Sequence, residues 1–230
     1  MDMPKFETLL FDADNTLFDF SRAEKNALTD TLNAFGVVPT EALIVSYSRI
    51  NDEMWRRLER GEISKEALRT ARFAVFCNTH GFALDETKMA HFYMDALSKQ
   101  TVLVEGALAV CKTLAETCRM YIVTNGIKSV QTRRFAASAL KEYFLDVFIS
   151  EEIGYEKPHR GYFEAVASKI EGFDPQKTLI IGDSLTSDIK GGIDAGLFTC
   201  WFNPGKKQAP EGMPITYEIT ALQELLPLVL

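Results

Sequence analysis

The sequence predicts an α/β protein built on a parallel sheet, with a block of helices inserted after the first strand. Two observations predict this fold class. After Gly106, short apolar runs alternate with segments of helical period, which is typical of a parallel sheet covered by helices on both faces. Between the first apolar run and residue 100, apolar residues recur at helical spacing, and no strand pattern interrupts them.

Five apolar segments are predicted to be strands of this sheet. They are residues 6–12, 120–124, 147–149, 179–182 and 198–202. About four helices are predicted between the first strand and the second. The predicted domain organisation is therefore a core of residues 1–17 and 101–230 and an all-α domain of residues 18–100.

The composition is that of a folded, acidic protein. Hydrophobic residues make up 47% of the 230 residues, and 25 basic against 32 acidic residues give a formal net charge of −7. An acidic chain without a long basic run is a poor candidate for binding a nucleic-acid polymer. Its densest basic pairs, Arg133-Arg134 and Lys206-Lys207, are expected to lie on solvated faces. We expect a small molecule as the partner.

The sequence also argues against a membrane protein. No run reaches the roughly 18 apolar residues of a membrane-spanning helix, and the first residues lack a signal-peptide pattern. The four cysteines show no C-x-x-C pair and no zinc spacing, so they are expected to be buried free thiols. We expect a cytoplasmic protein with no membrane partner, and the oligomeric state is left open.

Two carboxylates, Asp12 and Asp14, follow the first predicted strand. In such a pair one carboxylate can bind a metal and attack an electrophile, and the other can transfer protons to and from the leaving group. Taken alone, the two residues could equally be ordinary loop acids or a helix cap.

Three further segments lie near the ends of later predicted strands. Each has an ordinary interpretation when taken alone: a turn, a surface lysine, or a strand-to-helix junction. Ligands of parallel sheets bind at the carboxyl ends of the strands, so the joint occurrence of these segments indicates one site. They are Thr124-Asn125-Gly126, Lys157-Pro158, and Gly182-Asp183-Ser184 with Asp188.

This set of residues suits a phosphate monoester. Asp12 and Asp183 are hard oxygen ligands of the kind that bind Mg²⁺, which would offset the repulsion between a carboxylate nucleophile and the phosphate. Lys157 is expected to balance the negative charge that develops in the transition state. Asp188 is expected to orient Lys157 or a metal-bound water.

The turn after the second predicted strand is expected to bind phosphate. The Thr124 side chain and the backbone N–H groups of Asn125 and Gly126 can hold phosphoryl oxygens. Asp14 can protonate the leaving oxygen and later deprotonate the hydrolytic water.

Together, the four segments resemble the haloacid dehalogenase (HAD) superfamily. The resemblance implies a Rossmann-like core with strand order 5-4-1-2-3 and an inserted helical cap. It also implies a nucleophile at Asp12, an acid/base at Asp14 whose backbone carbonyl also binds the metal, a phosphate ligand at Thr124, a charge-balancing Lys157 and a metal ligand at Asp183.

Residues 11–18, 122–126, 150–158 and 192–203 are also similar to the bacterial pyrimidine 5′-nucleotidases. This resemblance implies a Mg²⁺-dependent phosphomonoesterase that hydrolyses nucleoside monophosphates through an aspartyl phosphate. A sugar-phosphate phosphatase or phosphomutase would keep the same motifs. A non-catalytic module that binds a phosphorylated ligand is the alternative from a different class. Asp14 and Asp183 together argue against a 2-haloacid dehalogenase.

Four residues are candidates for substrate specificity. Phe18 and Phe20 follow the catalytic loop and are expected to line its mouth. Trp55 could stack on a base, although its helical spacing favours a core role. Arg72 could bind a leaving group or lie on a solvated or salt-bridged helix face.

Overall fold

The structure, a computed structural model, describes residues 4–230 and divides the chain into two compact units. One unit comprises the chain up to Phe20 together with residues 101–230, and the other comprises residues 21–100. The range predicted for the helical domain, 18–100, differs from the second unit only at its first three residues.

The helical unit is formed by α1 (Phe20–Ala34), α2 (Glu41–Glu59), α3 (Lys65–His80) and α4 (Glu86–Ser98). The last three helices begin after Thr40, Ser64 and Asp85, and each of these side chains accepts a hydrogen bond from the backbone N–H three residues later. The interior of the unit is aromatic, with ring centroids 5.0 to 5.6 Å apart among Tyr47, Phe73, Phe76 and Tyr93.

The other unit contains a parallel sheet with the order β3-β2-β1-β4-β5-β6. The neighbours expected from the five-strand order are present, and β6 is an additional strand beside β5. β6 has only three residues, and a segment this short does not show the alternating pattern that predicts a strand. The strands are β1 (Thr8–Phe11), β2 (Arg119–Thr124), β3 (Asp146–Ile149), β4 (Thr178–Gly182), β5 (Phe198–Phe202) and β6 (Tyr217–Ile219).

Helices cover both faces of this sheet. Leu9 and Phe11 of β1 belong to one hydrophobic cluster, and Leu10 belongs to another, because successive side chains of a strand point to opposite faces. The strands are therefore apolar throughout, as the sequence pattern predicts. The helices are α5 (Ala107–Leu114), α6 (Lys128–Ala137), α7 (Ser150–Ile153), α8 (Arg160–Lys169), α9 (Lys190–Asp194) and α10 (Leu226–Val229).

The register of the strands brings their carboxyl ends together. Phe11, the last residue of β1, lies opposite Ile122 of β2 and Ile181 of β4. The next residue, Asp12, donates its backbone N–H to the carbonyl of Ile181 over 2.8 Å. Thr124 ends β2, and Asp183 directly follows β4, so the predicted site residues leave the sheet at one edge.

The four cysteines are buried and unpaired, as predicted: Cys77, Cys111, Cys118 and Cys200. Within residues 4–230, no helix combines the length and the apolar character that crossing a bilayer would require.

Gly192 provides a test of the packing between α9 and the sheet. A Cβ at this position would lie 2.5 Å from Ile180 Cγ2 and 2.9 Å from Thr199 Cγ2. We expect Gly192→Ala to lower the free energy of unfolding by about 1–3 kcal/mol, because an added methyl group would overpack this contact. Urea denaturation measures this change.

The matched control is Gly205→Ala, because a Cβ there would meet nothing closer than 3.8 Å. This variant is expected to stay within about 0.5 kcal/mol of the wild type. Equal stability of the two variants would show that α9 does not approach the sheet this closely.

Candidate active site

The centre of the site is the buried ammonium group of Lys157. Its Nζ donates hydrogen bonds to Asp12 Oδ1 over 2.8 Å, to Asp188 Oδ1 over 2.7 Å, and to the backbone carbonyl of Val123 over 2.7 Å. An ammonium group has three hydrogens, so these three acceptors use all of them. Lys157 thereby joins the ends of β1 and β2 to the segment that follows β4.

The second oxygen of each carboxylate is also bound within the protein. Asp12 Oδ2 accepts from the Thr16 hydroxyl over 3.3 Å, and Asp188 Oδ2 accepts from the backbone N–H of Ser184 over 3.1 Å. These contacts fix the planes of both carboxylates. The contact between Asp188 and Lys157 supports the expectation that Asp188 orients the lysine.

Burial changes the acidity of these groups. It raises the pKa of Asp12 to about 7, although the charge of Lys157 opposes the rise. Burial and the nearby charges of Asp12 and Asp188 raise the pKa of Asp183 to about 8. The pKa of Lys157 is raised because its two carboxylate neighbours outweigh the effect of burial. The ammonium therefore stays charged.

Three carboxylates lie together at this point. Ligand oxygens of Asp12, Asp183 and Asp188 all lie within 4.8 Å of one another. One ammonium does not balance three ionised carboxylates, so full ionisation of the three calls for further positive charge. This set of hard oxygen ligands fits a divalent cation such as Mg²⁺. Asp12 and Asp183, which directly follow β1 and β4, would be its ligands, and Asp188 would support them through Lys157 and the backbone N–H of Ser184.

Residues 124–126 fold tightly against the lysine segment. The Thr124 hydroxyl accepts a hydrogen bond from the backbone N–H of Gly126 over 3.0 Å and keeps its own proton to donate. The Asn125 side chain donates to the carbonyl of Lys157 and accepts from its backbone N–H, both over 2.8 Å. The sequence predicts phosphate contacts for the Asn125 backbone, but it does not reveal that the Asn125 side chain hydrogen-bonds to the backbone of Lys157.

Asp14 is held by two side chains of α6. Gln131 Nε2 donates to Asp14 Oδ2 over 2.6 Å, and Arg134 forms an ion pair with Asp14 Oδ1. Gln131 also accepts from Arg134 over 3.0 Å, so the three side chains form one network. A side chain at residue 126 would displace Gln131, because a Cβ on Gly126 would lie 2.0 Å from Gln131 Nε2.

Sequence reasoning missed Gln131 and Arg134. The expectation that both residues of the Arg133-Arg134 pair are solvated is wrong, because Arg134 is fully buried and only Arg133 is exposed. Residues three apart share one face of a helix, whereas adjacent residues do not. The spacing of Gln131 and Arg134, soon after the 124–126 turn, is the signal that could have identified them.

Two of the specificity candidates are placed differently from the expectation. Phe18 does not line a mouth: it is buried in a core cluster, with the Arg134 guanidinium 4.5 Å from its ring centroid. Arg72 is not on a solvated face: it is buried and donates to Asn51 Oδ1 over 2.9 Å. Phe20 and Trp55 are half-buried.

Comparisons with known proteins agree with this arrangement. The chain matches the haloacid dehalogenase-like hydrolase family over residues 6–196. It is 40% identical over 222 residues to the pyrimidine 5′-nucleotidase PynA of Streptococcus pneumoniae, covering 96% of this chain and 94% of PynA. It is 29% identical over 221 residues to the pyrimidine 5′-nucleotidase YjjG of Escherichia coli, covering 96% of each.

A third relative has a solved structure. YfnB of Bacillus subtilis is 39% identical over 224 residues, covering 97% of this chain and 95% of YfnB. The crystal structure of YfnB bound to magnesium superposes with a TM-score of 0.93 at 38% identity, covering 97% of this chain and 98% of that one. These matches confirm the resemblance predicted from the motifs: the chain is an enzyme that belongs to the haloacid dehalogenase-like hydrolase family.

Proposed function

We propose that the protein is a Mg²⁺-dependent 5′-nucleotidase that hydrolyses nucleoside monophosphates through an aspartyl phosphate on Asp12. The observation that carries the proposal is the group of the Asp12, Asp183 and Asp188 carboxylates, in which Asp12 and Asp188 pair with the buried ammonium of Lys157. This group lies at the carboxyl ends of parallel strands, where such sheets bind ligands.

In the first step, a carboxylate oxygen of Asp12 attacks phosphorus. The bond from phosphorus to the ester oxygen breaks, and that oxygen leaves with a proton from Asp14. In the second step, water attacks phosphorus and gives a proton to Asp14. The bond from phosphorus to the Asp12 oxygen breaks, so phosphate leaves and the Asp12 carboxylate is restored. Gln131 and Arg134 hold the Asp14 carboxyl in place for both transfers.

The positive charges of the site have separate parts in this mechanism. Asp12 and Asp183 would hold Mg²⁺, which would supply the charge that lets a carboxylate approach a phosphate dianion. Lys157 balances the charge of Asp12 and Asp188 and keeps the Asp12 carboxylate oriented. Thr124 can donate its hydroxyl proton to a phosphoryl oxygen.

The choice of nucleoside monophosphates is supported by two relatives, because PynA and YjjG are both pyrimidine 5′-nucleotidases. The chemistry of the site alone is shared with sugar-phosphate phosphatases and phosphomutases. The substrate class is therefore the part of the proposal that needs a direct test.

The test is phosphate release from nucleoside monophosphates, deoxynucleotides and sugar phosphates, each with Mg²⁺ and with a chelator. We expect release to favour pyrimidine nucleotides and to stop with the chelator. Asp12→Asn is expected to lower kcat by about 10⁴-fold or more, because it removes the nucleophile.

The matched control for that variant is Asp194→Asn, which removes a carboxylate from an exposed ion pair with Lys190. Its activity is expected to equal that of the wild type. Release concentrated on a sugar phosphate would overturn the substrate class, and full activity of Asp12→Asn would overturn the mechanism. No release from any compound would favour a binding module.

The raised pKa values of Asp12 and Asp183 predict a dependence of stability on pH. Each carboxyl has an ordinary pKa of 3.8 and a raised pKa, about 7 or about 8, in the folded protein. Between these values the folded protein binds more protons than the unfolded chain, so the free energy of unfolding falls as pH rises. We expect metal-free protein to be less stable at pH 8 than at pH 5.

Urea denaturation in the presence of a chelator measures this dependence. Asp183→Asn is expected to flatten it, because the amide does not ionise, whereas Asp194→Asn is expected to leave it unchanged. Added Mg²⁺ is expected to stabilise the protein more at pH 8 than at pH 5, because it binds the ionised carboxylates. If the free energy of unfolding depended on pH identically in the wild type and in Asp183→Asn, the burial of this carboxyl would be contradicted.

A further inference from the structure

The peptide bond between Asp183 and Ser184 is held at both of its polar groups. Its carbonyl oxygen, which belongs to Asp183, accepts a hydrogen bond from the Trp201 indole N–H over 3.0 Å. Its N–H, which belongs to Ser184, donates to Asp188 Oδ2 over 3.1 Å. A peptide unit is planar, so bonds to its two opposite polar groups fix its orientation. The backbone that carries the Asp183 side chain is therefore held in place.

Trp201 reaches this peptide because of the register between β4 and β5. It is the register partner of Gly182, the last residue of β4, and Asp183 follows directly. The Trp201 side chain is buried, with an exposed fraction of 1%. An indole has a single N–H donor, and a buried indole normally binds an acceptor with it. Here that donor is given to the Asp183 carbonyl.

The Asp188 side of the same peptide leads to the nucleophile. Asp188 Oδ1 accepts from Lys157 Nζ over 2.7 Å, and this ammonium also donates to Asp12 Oδ1 over 2.8 Å. Asp188 lies directly against the backbone of β4, because a Cβ on Gly182 would lie 2.3 Å from its Oδ2. A continuous series of hydrogen bonds therefore leads from Trp201 through the 183–184 peptide to Asp12.

The two proposed metal ligands are held in different ways. Asp12 is oriented through its side chain, because Lys157 and Thr16 donate to its two carboxylate oxygens. Among residues 4–230, in contrast, no protein donor forms a hydrogen bond with the Asp183 carboxylate. These oxygens are left for a ligand, and the position of the carboxylate depends on the backbone that carries it. That backbone is what Trp201 and Asp188 hold.

We propose that Trp201 is a positioning residue for the metal ligand Asp183. Its indole N–H fixes the 183–184 peptide and, with it, the backbone that carries the Asp183 carboxylate. This inference rests on the proposed function and deepens it, because it assigns part of the affinity for Mg²⁺ to a buried tryptophan. Loss of the indole N–H weakens metal binding, whereas the bond-making and proton-transfer steps remain with Asp12 and Asp14.

Calorimetric titration of metal-free protein with Mg²⁺ tests the inference. Trp201→Phe keeps an aromatic ring on β5 and removes the N–H. We expect its Kd for Mg²⁺ to be about 10-fold higher than that of the wild type, as is typical for loss of a residue that orients a metal ligand. At saturating Mg²⁺, its kcat and its KM for a nucleoside monophosphate are expected to recover to within about threefold of the wild type.

The matched control is Gly192→Ala, which is also expected to destabilise the sheet. Its added Cβ would meet Ile180 and Thr199 rather than the 183–184 peptide. Its Kd for Mg²⁺ is expected to stay within about twofold of the wild type, because the two positions share no partner. A Kd for Trp201→Phe equal to that of Gly192→Ala would overturn the inference and leave the proposed function intact.

A wild type that binds Mg²⁺ but hydrolyses none of the compounds would overturn the proposed function, and the same comparison of Kd values would still decide the inference. A wild type that binds no Mg²⁺ would overturn both.

A second measurement does not depend on whether Trp201→Phe folds. The chain has two tryptophans, so in Trp55→Phe protein the Trp201 indole N–H gives the one tryptophan side-chain signal of a ¹H–¹⁵N spectrum. We expect Mg²⁺ to shift this signal along the saturation curve that calorimetry gives, because the N–H is bonded to the carbonyl of a metal ligand. A signal that does not move while Mg²⁺ binds would overturn the inference.

Discussion

The site depends on one buried cation. Lys157 lies between Asp12 and Asp188, and without its charge two carboxylates would be buried side by side with no compensation. Removing one partner of such a buried group typically costs about 3–5 kcal/mol. The position of the ammonium is in turn fixed by Asn125, which binds both backbone polar groups of Lys157. Asp12, the proposed nucleophile, is thus oriented by residues from separate parts of the chain.

The parallel sheet makes this convergence possible. The close packing of both faces fixes the register of the strands, since a shift by one residue would place every side chain against the neighbours of the opposite face. With the register fixed, Asp12, Thr124 and Asp183 leave the sheet at one edge. Further contacts then fix the site residues: Arg134 and Gln131 hold the Asp14 side chain, and Trp201 donates to the backbone carbonyl of Asp183.

The sequence was sufficient to predict the α/β class, the insertion and the strand-end residues. These features follow from local periodicity and from short motifs, both of which can be read along the chain. Apart from Asp188, the side chains that support the site were not predicted. Asn125, Gln131 and Arg134 act through contacts made across the fold, and the three-residue spacing of Gln131 and Arg134 is the one local feature that points to them.

The errors have the same origin. Phe18 follows the Asp12–Asp14 segment in sequence, yet its side chain packs in the core against Arg134. Arg72 was expected on a solvated or salt-bridged face, because an arginine is seldom fully buried without a partner. Its partner is Asn51, 21 residues earlier, which itself donates to Glu24. A buried network of this kind depends on tertiary packing rather than on helical period.

The central claim is that Asp12 becomes phosphorylated during turnover. Its most direct test is peptide mass analysis of Asp14→Asn protein quenched in acid during reaction with substrate and Mg²⁺. The mechanism predicts one added phosphoryl group on the peptide that contains Asp12, because the variant lacks the base for the second step. It also predicts no such group in the Asp12→Asn, Asp14→Asn double variant. A phosphoryl group elsewhere, or none while this variant turns over normally, would contradict the claim.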